Sequence, residues 1–367
     1  MRICSPQLGL APKSILGGEV FDREILLGLA KKGIEIEIII PKNKPHDKIS
    51  NWKINYFPIS HFPASFYNFF ILPYLIKIYL IKPFDILRIH QPQFIGLGGI
   101  IFKLFFPKVK LVATYHQFRE TEFNFFSKFI NNFWDHIICD SLNVKKKIVS
   151  EYNVSKRRIT VVHNGVPKYL KPTRKDLKLI KKFKLEKANI LLFMGLFIQR
   201  KNPLFLIDLL LEISKKNKNV VMIFWGNGPL KNSIISRAKA MNLFQKIRII
   251  NPIFGKEKNK IHNLSDIFVH PALDEGFALA PLEAMACAKP ILITDAFSAK
   301  EAVTDGVNGF LLRASDTNHW SQRIIELINN KRLIEKMGQA SLSKIKKEFQ
   351  WEIAVKKHIE IFDNLIK

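Results

Sequence analysis

A chain of 367 residues, 47% hydrophobic with 17 glycines and 18 prolines, is long enough for two domains with cores of their own and is neither disordered nor fibrous. Its formal charge of +27 predicts attraction to a polyanion, with nucleic acid, anionic lipid headgroups and phosphorylated substrates all open, beside a purely compositional excess of surface lysine. The three cysteines, Cys4, Cys139 and Cys287, are scattered with no CxxC pair, which argues against a disulfide framework or a zinc site and fits a reducing compartment.

The chain opens at Met1 to Pro6 like a short buried strand without a long apolar leader, which predicts a protein that is not exported. Gly17-Gly18 then precede a helix from about Glu19 to Lys32 and a buried strand from Ile34 to Ile40. The most apolar stretch, Phe62 to Ile81, contains Pro63, Pro73 and Lys77 and is rejected as a membrane span. Its part from Tyr67 to Ile81 reads either as an amphipathic helix lying in a lipid interface or as a helix packed on a sheet. Further strands are expected at Phe84 to Ile89, Lys110 to Thr114, His136 to Cys139 and Ile159 to Val162, with helices between them.

Asn164 to Pro167 and the charged stretch Lys168 to Lys187 read as a turn and a polar linker, where a hinge is expected. A second series then starts afresh: Ile190 to Met194, Val220 to Phe224, Ile247 to Ile250, Ile267 to His270, Ile291 to Thr294 and Phe310 to Leu312. Short apolar runs alternating with helical patterns mark an α/β protein with parallel sheets covered on both faces.

The chemistry concentrates between Asp274 and Ala286, where Glu275 and Glu283 stand eight positions apart across a loop-to-helix junction. With Pro281 as first helical residue, Glu283 falls in the first turn and the amides of Phe277 to Leu279 are available to an anion. Carboxylates that accept from vicinal hydroxyls, next to amides and cations that offset a diphosphate, are what a nucleotide sugar requires. Taken alone, Glu283 reads first as a carboxylate that complements the helix terminus. No Asp-x-Asp occurs, so no metal clamp is expected and Lys and helix amides must carry the phosphate charge.

This stretch resembles the E-x7-E signature of the retaining glycosyltransferase family 4 (group 1), and the resemblance extends over nearly the whole chain. Gly17-Gly18 is similar to the family's N-terminal glycine loop, Val161 to Val166 to its hinge motif, and the segment from Trp351 onward to its closing helix. The family implies a GT-B fold of two doubly wound Rossmann-like domains facing across a cleft: an acceptor-side domain over 1–167, with the helix 350–367 packing back on it, and a nucleotide-sugar domain over 168–349. It implies that Glu283 binds the donor ribose, that Glu275 contacts hydroxyls of the transferred sugar, and that Gly276, Phe277, Ala278 and Leu279 help hold sugar and phosphate.

Phe193 to Pro203 is similar to the family's diphosphate motif, with Lys201 at the phosphate-binding lysine. Leu196 stands where the family carries an arginine after Gly195, which leaves Arg200 as the candidate second cation. Gly226 opens the turn expected to wall the nucleotide pocket, and Asn251 and Ile253 lie where the base is expected. His116, after Thr114-Tyr115, matches a histidine that faces the sugar; His90 reads as structural. His116, Lys201 and Glu275 are thus the expected catalytic set.

The implied reaction is metal-independent retaining transfer, needing no cofactor, from a UDP- or GDP-sugar to a saccharide or lipid-linked acceptor in cell-surface polysaccharide or glycolipid synthesis. The expected setting is cytoplasmic, peripheral at an anionic membrane surface, with no specific nucleic-acid partner. Two alternatives stay open: a polyanion-binding protein on an inherited fold, and a nucleotide-sugar epimerase.

Overall fold

The computed structural model describes residues 1–58, 67–90, 92–116 and 124–367. The expected segment Phe62 to Ile81 lies partly outside them, at 62–66. The chain divides into two compact units, Met1–Gly165 with Trp351–Lys367, and Val166–Gln350.

The first unit holds strands β1 (Arg2–Pro6), β2 (Glu35–Pro41), β3 (Trp52–Phe57), β4 (Ile86–His90), β5 (Lys110–Tyr115), β6 (His136–Cys139) and β7 (Ile159–Val161). Helices α1 (Gly17–Lys31), α2 (Tyr67–Ile81), α3 (Pro92–Phe105), α4 (Asn124–Asn131) and α5 (Leu142–Tyr152) connect them. The sheet is parallel in the order β3-β2-β1-β4-β5-β6-β7. Runs such as Ile36 to Ile40 are buried on both faces because helices cover both sides.

In the second unit β8 (Asn189–Met194), β9 (Val220–Trp225), β10 (Ile247–Ile250), β11 (Ile267–His270), β12 (Ile291–Thr294) and β13 (Gly309–Leu312) form a parallel sheet ordered β10-β9-β8-β11-β12-β13. Its helices are α6 (Leu177–Phe183), α7 (Phe205–Lys216), α8 (Lys231–Ala240), α9 (Lys256–Leu264), α10 (Leu279–Ala286), α11 (Ala299–Ala302), α12 (Thr317–Asn329) and α13 (Lys331–Glu348). In each sheet the winding reverses once, at β1/β4 and at β8/β11, and ligands of such sheets bind beyond the carboxyl ends of the strands at that reversal.

The last helix, α14 (Trp351–Ile366), belongs to the first unit. Its Trp351 ring meets Phe21 of α1 edge-on at 5.9 Å, and Phe362 is fully buried. A side chain at Gly28 of α1 would run into Val355, so the absence of a Cβ there sets how closely the two helices approach.

Three sequence expectations are corrected. β3 was not anticipated: only Trp52 and Phe57 of it are buried, so it lacks the continuous apolar run that marks the central strands. The stretch 168–187 is no open linker. It buries Leu170 and Leu185, forms α6 behind the Asp176 cap, and its Lys171 and Thr173 amides donate to Asn259 and Asn263 of α9 at 3.0 and 2.8 Å. Gly17 and Gly18 form the first turn of α1 instead of a preceding loop. Among the described residues, no helix is long and apolar enough to cross a membrane.

Replacing Phe362 by Ala empties a fully buried ring site and should destabilise the first unit by about 3–5 kcal/mol, read as an earlier urea-unfolding transition of that unit. A loss within experimental error would mean that α14 does not share its core.

Candidate active site

At the carboxyl ends of β8, β9, β10 and β11 the second unit gathers most of the residues singled out from the sequence. Gly195 follows β8, Gly226 follows β9, Asn251 follows β10 and Glu275 comes five residues after β11. The turns interlock: the Gly195 amide donates to the Trp225 carbonyl at 3.0 Å, the Gly226 amide to Ile250 at 3.0 Å and the Phe197 amide to Asn227 at 2.9 Å. Gly226 and Gly228 both have φ of +153°, and a Cβ would strike the Gly195 carbonyl at the first and the Phe197 backbone at the second. These glycines are therefore required by the turn. Asn251 accepts from Lys231 at 3.4 Å, while Ile253 is half-buried against the core of the unit.

Because β8 lies beside β11, the turn after one strand meets the loop after the other. The Leu273 amide donates to the Arg200 carbonyl at 2.7 Å, and the Arg200 guanidinium donates to the Asp274 carbonyl at 3.2 Å. This brings three basic groups onto one carboxylate: Lys201 pairs with Glu275, Arg200 stands 3.4 Å from it and His270 Nε2 3.5 Å. Burial, with Arg200 adjacent, pushes the Lys201 ammonium down to about 7 against the pull of Asp274. Burial, with Lys201 and Arg200 nearby, holds His270 well below the usual imidazole range, so it is neutral. A pocket opens beside Glu275, lined among others by His270, Phe277, Ala278, Thr294 and Phe297.

Helix α10 begins at Leu279, so Pro281 is its third residue and Glu283 its fifth, which corrects the expected start at Pro281. Proline fits here because the first-turn amides have no partner within the helix. Ala278 stands at the cap and places no side-chain oxygen on those amides, so the helix terminus carries no cap of its own. Gly276, Phe277 and Ala278 lead into it directly after Glu275.

Glu283 lies in a second cluster that sequence reasoning did not find. Lys258 of α9 reaches both of its oxygens at 2.6 Å and lies 5.1 Å over the Trp225 ring, and His262 Nε2 stands 3.6 Å away. Burial would raise the Glu283 carboxyl, but Lys258 and His262 bring it below its ordinary value. The only signal in the sequence was the spacing of Lys258 and His262, four residues apart and hence on one helix face.

The first unit builds its own charged cluster at the ends of β4, β5 and β6. Asp22 of α1 is fully buried and pairs with Arg88 and His90. His116 sits between two carboxylates, with Nε2 3.8 Å from Asp22 and Nδ1 3.5 Å from Asp140. Gly18 lies against both imidazoles: a Cβ there would come within 3.3 Å of His116 and 3.6 Å of His90. His90 thus joins the cluster of His116 instead of serving as a detached structural residue. Burial would lower the His116 imidazolium, but Asp140 and Asp22 outweigh it and raise it to about 9. Burial lowers His90 further than Asp22 raises it, which leaves its imidazolium below the ordinary value. Asp22, His90 and His116 lie close enough to hold a cation, with ligand atoms within 4.8 Å of one another, but Arg88 already supplies the positive charge at that carboxylate.

Of the residues proposed from sequence, Gly17, Gly18 and His116 are in the first unit and all others in the second. Residues 15–168 match the family Glycosyltransferase Family 4, and residues 175–344 match Glycosyl transferases group 1. An uncharacterized glycosyltransferase of Methanocaldococcus jannaschii is 29% identical over 241 residues, which covers 66% of this chain and 63% of the relative. A second one from that organism is 27% identical over 304 residues, covering 77% and 76%. The capsular polysaccharide biosynthesis glycosyltransferase CapM of Staphylococcus aureus is 25% identical over 237 residues, covering 63% and 62%. The chain therefore spans a little under two thirds of the length of the first and third of these relatives. Among solved structures, sucrose-phosphate synthase from Thermosynechococcus elongatus superposes with a TM-score of 0.81 at 16% identity, covering 99% of this chain and 98% of that one. HepE of Anabaena, solved with UDP, gives 0.81 at 16% identity over 99% and 100%. The fold is GT-B.

The His116 cluster carries a stability signature. Its folded value of about 9 exceeds the unfolded value of about 6.5, so its contribution is fully present below about pH 6.5 and is lost as pH rises through about 9. The stability difference between wild type and His116→Gln in urea should therefore shrink steadily from pH 6.5 to pH 9; a difference independent of pH would show that the ring is not held as the imidazolium.

Proposed function

Since the chain belongs to the group 1 glycosyltransferases, with a family 4 module ahead of the group 1 module, we propose that it moves a sugar, with retention and without a metal, from a UDP- or GDP-sugar to a saccharide or lipid-linked saccharide. The observation that carries this reading is Glu275 held among Lys201, Arg200 and His270 directly ahead of the uncapped terminus of α10. Lys201, Arg200 and the terminus supply positive potential for a diphosphate, and Glu275 supplies acceptor oxygens for sugar hydroxyls. A dianionic ligand at Lys201 favours its ammonium form, reversing the effect of burial, so the cation is strongest when the leaving group is present. His270, neutral at working pH, adds no competing charge to the same carboxylate.

Glu283 suits the ribose, since a carboxylate kept ionised by Lys258 is an acceptor for both vicinal hydroxyls. HepE, a fold neighbour solved with UDP, makes uracil the first base to try. CapM, a relative named for capsular polysaccharide biosynthesis, supports a saccharide acceptor.

Attachment to an anionic membrane fits the first unit. Leu80 and Ile81 at the end of α2 are 70% and 66% exposed, Leu104 and Phe105 at the end of α3 are 70% and 65% exposed, and Lys77, Lys82 and Lys108 are exposed nearby in sequence. Exposed apolar side chains rimmed by lysine suit a lipid interface. Wild type should co-sediment with anionic vesicles and release with salt, and Phe105→Asp should bind less; binding unchanged by either would refute the attachment.

The donor reading is tested by binding and slow hydrolysis of UDP- and GDP-sugars without added metal. One base should bind selectively, with the signal lost in Glu283→Ala and Lys201→Ala; wild type that bound no nucleotide would end the transferase reading.

A further inference from the structure

Among the described residues, the groups that hold Glu283 come from α9. Lys258 grips both carboxylate oxygens at 2.6 Å, its ammonium lies over the Trp225 ring at 5.1 Å, and His262, one turn further along α9, stands 3.6 Å away. Glu283 and Lys258 are both largely buried, with side chains 10% and 16% exposed, so little water competes with the pair. Trp225 ends β9 immediately before the Gly226 turn, which places the clamp on the wall of the same strand-end site.

We propose that Lys258 is a positioning residue for the nucleoside half of the donor: it fixes the Glu283 carboxylate in one orientation and keeps it charged, so that its remaining lone pairs meet the two hydroxyls of a ribose. This rests on the donor-site reading of Glu283. A carboxylate can accept at about four sites, and an ammonium spanning both oxygens occupies one edge and leaves the outer lone pairs for a vicinal diol. A protonated Glu283 would present a donor on one oxygen and lose half of that acceptor pattern.

The groups that set its charge are Lys258 and His262 of α9; Lys289 beyond α10 acts on His262, Cys287 at the C-cap of α10 feels Glu283 as a neighbouring charge, and Trp225 of β9 contributes a ring and no charge. Burial and the two cations Lys258 and Lys289 keep His262 below its usual value, although Glu283 opposes this, so near neutral pH Lys258 is the positive charge on Glu283. Its removal lets burial dominate, and the Glu283 carboxyl rises.

The test is calorimetric titration of UDP and GDP, from pH 5 to 8, into wild type, Lys258→Met, Lys258→Arg, Glu283→Gln and the Lys258→Met/Glu283→Gln double variant. Met keeps the packing on Trp225 and removes the charge. The expected result is a loss of about tenfold or more in affinity for Lys258→Met at neutral pH, with its acid-side loss of binding moved to higher pH. Lys258→Arg should restore most of the affinity, and Lys258→Met should change little in the Glu283→Gln background. A Lys258→Met protein that bound more weakly by the same factor at every pH, or equally in both backgrounds, would overturn the proposal and leave Lys258 a packing residue. Wild type that bound neither nucleotide would instead remove the donor-site reading on which it rests.

Discussion

The reversal of winding between β8 and β11 is the constraint on which the second unit's chemistry depends. Crossovers leave these neighbouring strands in opposite directions, so the turns that follow them face each other. Lys201 comes from one turn and Glu275 from the other, 74 residues apart in the chain. Their meeting is a property of the strand order, which the continuous apolar runs of β8 and β11 enforce. The glycines at 226 and 228 let the β9 turn close against the β8 turn, so the floor beneath Lys201 is backbone against backbone.

Charge is buried at these strand ends in pairs. Glu275 has Lys201, Glu283 has Lys258, and Asp22 has Arg88. Such pairs add little to folding, because desolvating both partners offsets most of their attraction, so stability alone does not explain three of them. Each pair instead stores a charge in a site too dry to hold it singly. The +27 excess of the whole chain is a separate matter: it lies mainly on exposed lysines, where it acts on distant partners.

The fold was legible because its signals are local. β8, β11 and β12 are short apolar runs that can only be covered strands, and their limits are read to within a residue. β3 escaped because only its end residues Trp52 and Phe57 are buried, and the stretch 168–187 escaped because its charged composition hides Leu170 and Leu185, the side chains that dock it. Lys201, Glu275 and Glu283 could be picked out because they sit in recognisable segments. Lys258, His262, Asp22, Arg88 and Asp140 carry no such local mark. They acquire meaning only from what the sheet order brings against them, and one more lysine in a chain with 58 Lys and Arg residues attracts no notice.

Pairing also bears on selectivity at Glu275. Lys201 is the nearest partner of Glu275, so on the donor-site reading a diphosphate that takes Lys201 leaves the carboxylate without it. Arg200 at 3.4 Å and neutral His270 at 3.5 Å compensate only in part. A free nucleoside diphosphate therefore gains one ion pair while weakening another, whereas a nucleotide sugar brings hydroxyl donors to the carboxylate it strips. On the donor-site reading the intact substrate is favoured over its own leaving group by the same contact that pairs Lys201 with Glu275, and once the sugar has moved to an acceptor, Glu275 is again available to Lys201.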